Sequence, residues 1–235
     1  MVSIIVPTLN EEAALPATLR SLHALEGEKE VIVADGGSTD CTIAVARELG
    51  ARVVQAVRGR GSQMHAGAVA AVGEIFWFVH ADTTPPPHAL RDLQNALMRP
   101  GVAGGNFGLT FDGCSLAAKQ LTLIYPLLRI LNLCYGDSGI FLRREIYENI
   151  GGFQPLALFE DLDLLRRLRR RGKFIHLACR MTTSSRRFKN RNFLLMWTEW
   201  TGLQLLYWCG ADPNWLARRY KHVRTNGHQV NLSND

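Results

Sequence analysis

The stretch VSIIVPTLNEEAALPATLRSLHALEGEKEVIVADGGSTD, residues 2–40, holds two short apolar runs on either side of a longer segment whose leucines recur at helical spacing. The runs at 3–7 and 30–34 are rich in branched side chains and too short for helices, so they read as strands buried on both faces. Residues 11–25 read as the helix between them. Strand, helix and strand in that order make a parallel pair with a crossover.

Working outward, the rhythm continues for about a hundred residues. Further strands are expected at 52–55 and 74–79, and helices at 40–49, 63–71 and 87–98. Four parallel strands alternating with helices predict an α/β fold whose sheet is covered on both faces. Ligands of such sheets bind at the carboxyl ends of the strands, which gathers the loops 8–12, 35–40, 58–62 and 80–84 at one edge. Beyond Pro100 the pattern changes to a longer strand at 102–110, a helical stretch at 116–135, a strand at 137–142 and a helix at 160–171. No polar linker, internal repeat or low-complexity segment interrupts the chain, so residues 1–235 read as one domain.

Composition narrows the function classes. With 47% hydrophobic residues in 235, the chain can bury a core. The five cysteines are odd in number, widely spaced and lack a C-x-x-C pair, which argues for reduced, packed thiols rather than disulfides or zinc. The net charge of +6 is local: residues 166–191 hold eleven Arg or Lys and no acid, and without them the balance is negative. Such a window suits a diphosphate or an anionic membrane surface, or is a solvated face; no nucleic-acid module accompanies it. Residues 121–135 and 193–209 are apolar but interrupted by Arg129 or Glu199, and neither is expected to span a membrane. The second carries Trp197, Trp200 and Trp208, which fits a helix lying in a membrane interface, packed on the sheet, or in a homodimer contact. No leader precedes the first strand, so a cytoplasmic protein is expected, with peripheral contact at the inner face of the membrane as a further option.

The loops carry the chemistry. Asp35-Gly36-Gly37 puts an acid at a strand end beside two glycines that admit a close ligand. WFVHADTTPPP, residues 77–87, ends a core strand on His80 and Asp82 before three prolines. Neither G-x-G-x-x-G after the first strand nor G-x-x-x-x-G-K-[ST] is present, which argues against a dinucleotide fold and a phosphate loop.

Five segments, VSIIVPTLNEE (2–12), VIVADGGSTD (31–40), GEIFWFVHADT (73–83), GDSGIFLRREIYENIGGF (136–153) and FEDLDLLRRLRRRG (159–172), together resemble family 2 glycosyltransferases in order and separation. The resemblance covers residues 1 to about 175 and implies a GT-A fold: a Rossmann-like, mostly parallel sheet flanked by helices, with a mixed C-terminal acceptor-side lobe. It divides the domain into a nucleotide-sugar-binding half (1–100), an acceptor and catalytic half (101–190), and amphipathic C-terminal helices (191–235). The implied activity is hexosyl transfer from a UDP- or GDP-linked sugar to an acceptor hydroxyl, metal-dependent and inverting.

By the same resemblance Pro7, Thr8, Glu11, Asp35 and Gly36 line the nucleoside pocket, and Asp82 holds a divalent cation, Mn2+ or Mg2+, on the donor diphosphate. His80 stands where the family has the first acid of Asp-x-Asp; it either ligates the cation, favouring manganese, or hydrogen-bonds the ribose. Met64-His65-Ala66-Gly67 replaces the usual Arg-Asn-x-Gly, and Arg60 between Gly59 and Gly61 is expected to compensate by reaching phosphate. RGRGSQMHAGA (58–68) resembles a subgroup of small bacterial enzymes associated with arsenosugar biosynthesis. Asp161 is the implied general base with Glu160 beside it, and Gly136, Asp137 and Ser138 line the acceptor side. Ser185-Arg186-Arg187-Phe188 lies where relatives cover the diphosphate, making Arg187 a donor-binding candidate. The rivals are a sugar nucleotidyltransferase, disfavoured by the glycine-free TLNEE loop, and a non-catalytic nucleotide-sugar-binding or membrane-docked adaptor.

Overall fold

A computed structural model describes residues 1–113, 116–130, 136–186 and 193–219. The first half follows the expected alternation: β1 (Val2–Thr8), α1 (Leu15–His23), β2 (Lys29–Asp35), α2 (Thr42–Glu48), β3 (Arg52–Gln55), α3 (Arg60–Ala70) and β4 (Ile75–Phe78). A short β5 (Thr83–Thr84) and α4 (Ala89–Leu97) follow the histidine-aspartate turn. Then come β6 (Val102–Phe111), α5 (Leu116–Ile130), a 3-10 turn at Gly136–Ser138, β7 (Phe141–Arg143), α6 (Arg144–Asn149), α7 (Glu160–Arg169), β8 (Lys173–Thr183), α8 (Phe193–Trp208) and α9 (Pro213–Arg219).

The strands form one eight-stranded sheet in the order β3-β2-β1-β4-β7-β6-β8-β5. The first four run parallel, β7 is antiparallel to both β4 and β6, β8 is parallel to β6, and β5 is antiparallel to β8. The sheet is therefore the expected mixed α/β arrangement. Register places Thr8 opposite Asp35 and Ile5 opposite Phe78, so the first, second and fourth strands end on one edge.

Strand alternation sorts the core into two layers. Val2, Ile4, Val6 and Trp77 point to the side packed by α1, α2, α4 and α5, while Ile5, Phe76 and Phe78 point to the side packed by α3, α6 and α7. Trp77 is fully buried; truncating such a ring costs about 3–5 kcal/mol.

Three expectations shift. Helix α1 begins at Leu15 rather than residue 11, because residues 10–12 are bound to the loop after β2 instead of to the helix. Residues 136–138 form a 3-10 turn and β7 starts only at Phe141, since Gly139 at φ 65° breaks the extended run. Strand β8 lies inside the basic window, where the arginines concealed an edge-facing alternation: along its second half Met181 and Thr183 are buried while Arg180 and Thr182 are exposed.

Candidate functional site

The carboxyl ends of β1 and β2 are sewn together. Thr8 donates to Asp35 Oδ1 at 3.2 Å, the Ser38 hydroxyl to the same oxygen at 2.5 Å, and the amides of Gly37 and Ser38 to Oδ2 at 2.9 and 2.8 Å. Asp35 is fully buried and its carboxylate shapes its own loop. Asn10, at φ 55°, accepts the Thr39 amide at 2.8 Å, and the Glu11 amide donates to Thr42 Oγ1 at 2.8 Å. Burial would raise the Asp40 carboxyl, but hydrogen bonds from Thr42 and the Glu12 amide outweigh this and hold it below the ordinary value. Pro7 lies between these groups, half-buried, at the strand end. Gln63 of α3, a residue the sequence did not single out, bonds the carbonyls of Thr8 at 2.5 Å and Ala34 at 3.1 Å; a Cβ on Gly36 would meet its amide at 2.9 Å.

Across this edge lies a cationic bridge. Arg186 donates to Glu11 Oε1 and Oε2 at 2.6 and 2.5 Å and stands 3.3 Å from Asp82 Oδ2. Burial opposes its charge, yet the Glu11 hydrogen bond and the Asp82 charge raise its pKa above the ordinary arginine value. The structure thus joins Glu11 and Asp82, expected in separate roles, through an arginine from a loop far along the chain. Arg187 lies outside the described residues.

A second cluster forms where α7 begins. Phe159 caps it at φ 64°, a left-handed conformation that costs an aromatic residue about 1–3 kcal/mol and persists only where neighbours enforce it. Immediately after it, Glu160 and Asp161 are both buried. Asp161 Oδ2 accepts the Gly136 amide at 2.6 Å and its Oδ1 accepts the Leu162 amide at 2.8 Å. Arg60 hydrogen-bonds Glu160 through Nε and lies 3.7 Å from Asp161 Oδ2 through its terminal nitrogen. Arg60 therefore faces the two acids. Burial works against its charge, and Glu160, Asp161 and Asp137 more than reverse that, raising its pKa. Burial pushes Glu160 above the usual carboxylate range; Arg60 opposes and Asp161 reinforces the shift.

Close backbone approach makes this cluster possible. A Cβ on Gly61 would lie 2.5 Å from the Gln154 carbonyl and 3.1 Å from Glu160 Cβ, so α3 can meet α7 here only with glycine. A Cβ on Gly136 would stand 3.2 Å from Asp161 Oδ2 and 3.6 Å from His80 Nε2. His80 is thus brought to the acceptor-side turn. Ser138 is fully buried and accepts Asn106 Nδ2 at 2.9 Å, while Asn106 Oδ1 meets His176 Nδ1 at 2.7 Å. Asp163 turns away to Arg166 and Arg167, at 3.2 and 2.6 Å. Beside the Phe159 cap, Tyr207 of α8 stacks at 4.9 Å between centroids, and its hydroxyl is raised by burial and then by Asp163. Neither aromatic has a sequence signal, because the pairing joins an irregular loop to a distant helix.

Asp82 and Glu11, joined through Arg186, offer carboxylate oxygens of the kind that hard divalent cations take, and His80, two residues before Asp82, offers a softer imidazole. The Arg186 guanidinium already places positive charge at two of these groups. Among the described residues no three or more His, Cys, Asp or Glu are grouped to hold a metal by themselves. A cation here would take its remaining ligands from water or from a bound diphosphate.

The family model described as Glycosyl transferase family 2 matches residues 3–152. Among curated proteins, the chain is 27% identical over 197 residues to the probable glycosyltransferase YdaM of Bacillus subtilis, covering 71% of this chain and 46% of that protein. It is 39% identical over 174 residues to the PGL/p-HBAD biosynthesis glycosyltransferase of Mycobacterium bovis, covering 65% and 63%. The chain spans about half or less of the first of these relatives. Two solved structures share its fold. The mannosyltransferase PcManGT from Pyrobaculum calidifontis, in complex with GDP-Man and Mn2+, matches with a TM-score of 0.68 at 20% identity over 91% of this chain and 66% of that one. Glucosyl-3-phosphoglycerate synthase from Mycobacterium tuberculosis, with Mn2+, UDP and glucosyl-3-phosphoglycerate, matches with a TM-score of 0.61 at 24% identity over 89% and 80%.

Proposed function

The chain belongs to glycosyl transferase family 2 and has the GT-A fold, and on that premise we propose that it transfers a sugar from a nucleoside-diphosphate donor to an acceptor hydroxyl with inversion. The observation that carries this reading is the meeting of two loops at Gly136. Its amide holds Asp161 at 2.6 Å, and His80, two residues before Asp82, lies beside the same glycine. In this reading one acid stands near the donor phosphates and the other near the acceptor.

In this reading Pro7, Thr8, Glu11, Asp35 and Gly36 shape the nucleoside side of the cleft. Asp82, with Glu11 or His80, would hold a divalent cation, which neutralises the charge that gathers on the departing diphosphate. Asp161 accepts the proton of the acceptor hydroxyl at a carboxylate oxygen. The Gly136 and Leu162 amides fix its orientation, and Arg60 stands 3.7 Å from its Oδ2. Glu160 anchors Arg60, and Asp137 and Ser138 form the wall against which the acceptor lies. The complexes of the structural neighbours with Mn2+ and UDP or GDP-Man support the choice of a divalent cation and a nucleoside-diphosphate donor by likeness of fold. The arsenosugar-associated subgroup is carried by residues 58–68 alone.

The test is a donor panel assayed for nucleoside diphosphate release with and without Mn2+. Asp161→Asn is expected to lower turnover by about 10²–10⁴-fold while leaving donor affinity within a factor of about two. Asp82→Ala is expected to lose metal-stimulated turnover. Wild-type turnover that survives complete chelation would refute the cation. Donor binding without turnover of any acceptor, in wild type as in Asp161→Asn, would favour the adaptor.

A further inference from the structure

Helix α5 buries Ala118, Leu121, Tyr125 and Leu128 in the core and carries further apolar side chains on its outer face. Its polar stripe, Thr122, Tyr125 and Arg129, faces the protein: Thr122 Oγ1 accepts the Phe111 amide at 3.0 Å, Tyr125 is buried, and Arg129 donates to the Leu177 carbonyl at 2.7 Å. The opposite positions, Lys119, Leu123, Pro126 and Leu127, recur at i, i+4, i+7 and i+8 and stand exposed, Leu123 at 80% and Leu127 at 57%. A surface helix of a water-soluble domain ordinarily turns its apolar stripe inward. Here that inward stripe is present, and Leu123 and Leu127 project outward in addition to it. An open groove of about 400 Å³ borders this stripe, with Phe111, Leu123 and Pro126 among its apolar walls and Lys119 and Arg180 as its cations. None of its described lining residues is acidic.

We propose that the outer face of α5 docks on a membrane surface rich in anionic phospholipid. Leu123 and Leu127 enter the headgroup boundary, and Lys119 and Arg180 meet lipid phosphates. Charge selects this occupant over a second copy of the chain. A symmetric contact would bring another pair of cations to a seam with no acidic groove residue to receive them, whereas a net charge of +6 favours an anionic surface. The contact is interfacial, since no helix among the described residues is long and apolar enough to cross a membrane.

The tryptophan-rich α8 is less suited to this role. Trp197 and Trp200 pack against the same core as α5, and Trp215 of α9 lies under the Arg219 guanidinium at 4.1 Å. Leu205, Leu206 and Trp208 remain exposed and supply the control.

The full chain is floated with vesicles of phosphatidylcholine alone or with about one third phosphatidylglycerol. Wild type is expected to partition at least roughly tenfold more strongly into the anionic vesicles. Leu123→Asn with Leu127→Asn should reduce this to the level of phosphatidylcholine without moving the melting temperature, because both side chains are exposed. Lys119→Gln with Arg180→Gln, which leaves the apolar stripe intact, should weaken anionic binding and flatten its salt dependence. Leu205→Asn with Trp208→Ala should bind as wild type. The proposal is overturned if wild type ignores anionic vesicles, or if neither the leucine nor the charge variant loses binding. It is equally overturned if only the α8 variant loses binding. Conversion of a dimer to monomer by the leucine substitutions, without any vesicle binding, would assign the face to a second copy.

Discussion

Arg186 binds Glu11 through both carboxylate oxygens and reaches Asp82 at 3.3 Å. Anything positive that is to settle on Asp82 must therefore displace or share with this guanidinium, and the two equilibria are linked. Arg186→Gln removes the competitor without removing a carboxylate. Donor-free protein carrying that substitution is expected to bind Mn2+ about fivefold more tightly, in keeping with a partly exposed ion pair worth roughly 1 kcal/mol. Electron paramagnetic resonance of unbound Mn2+ measures this directly; equal or weaker affinity in the variant would remove the competition. At this scale the sequence marked the acids and the segment 185–188 that holds Arg186, but not that they meet. Asp82 announces itself because a core strand ends on it, whereas an arginine in a basic window looks like its neighbours until the fold brings it to a carboxylate pair.

Strand β8 runs beside β6, and from it His176 reaches Asn106, which in turn holds Ser138 of the acceptor-side turn. Burial, then Arg129 from α5 and Arg169 from α7, lower His176 from 6.5 to about 4. The folded state favours the neutral ring. As pH falls below 6.5 the unfolded chain takes up a proton that the folded chain resists until about 4, so stability declines across that window and the loss is complete below it. A melting-temperature scan over this range should show the decline in wild type and a shallower one in His176→Gln. Equal slopes would mean that other groups govern the acid limb. The alternating residues of this strand were present in the sequence, but its arginines drew the reading toward a charged surface.

For the molecule as a whole, the expectation is that the correct nucleoside diphosphate with Mn2+ stabilises the protein by mass action. At about one hundred times its dissociation constant the gain is about 2.7 kcal/mol, which for a chain of this size raises the melting temperature by roughly 5–10 °C. A uridine, guanosine, adenosine and cytidine diphosphate panel, read by thermal shift with and without the cation, identifies the base. No shift with any member, at concentrations spanning the millimolar range, would count against a nucleotide site. The halves of the chain contribute differently to such a site. The parallel β3-β2-β1-β4 half lines up the edge proposed for the nucleoside, and the 3-10 turn before β7 and the start of α7 carry Asp137, Glu160 and Asp161.

Local patterns determined most of the first half: branched runs made strands, helical spacing made helices, and the parallel order placed four loops on one edge. They also singled out Asp35 and Asp82, because acids at strand ends stand out against apolar neighbours, whereas Glu160 and Asp161 were implied by the family resemblance of residues 159–172. Tertiary structure alone decided which of these groups meet. Residue 136 could approach both Asp161 and His80 only because glycine lacks a Cβ, and α3 could reach α7 only at Gly61. Arg60 was turned to the acids and Arg186 to Asp82 by contacts across more than a hundred residues, beyond the reach of any local pattern. The same holds for α5, whose sequence carries leucines on two faces, Leu121 and Leu128 on one and Leu123 and Leu127 on the other. Which one faces water depended on the backbone groups of β6 and β8 that Thr122 and Arg129 satisfy.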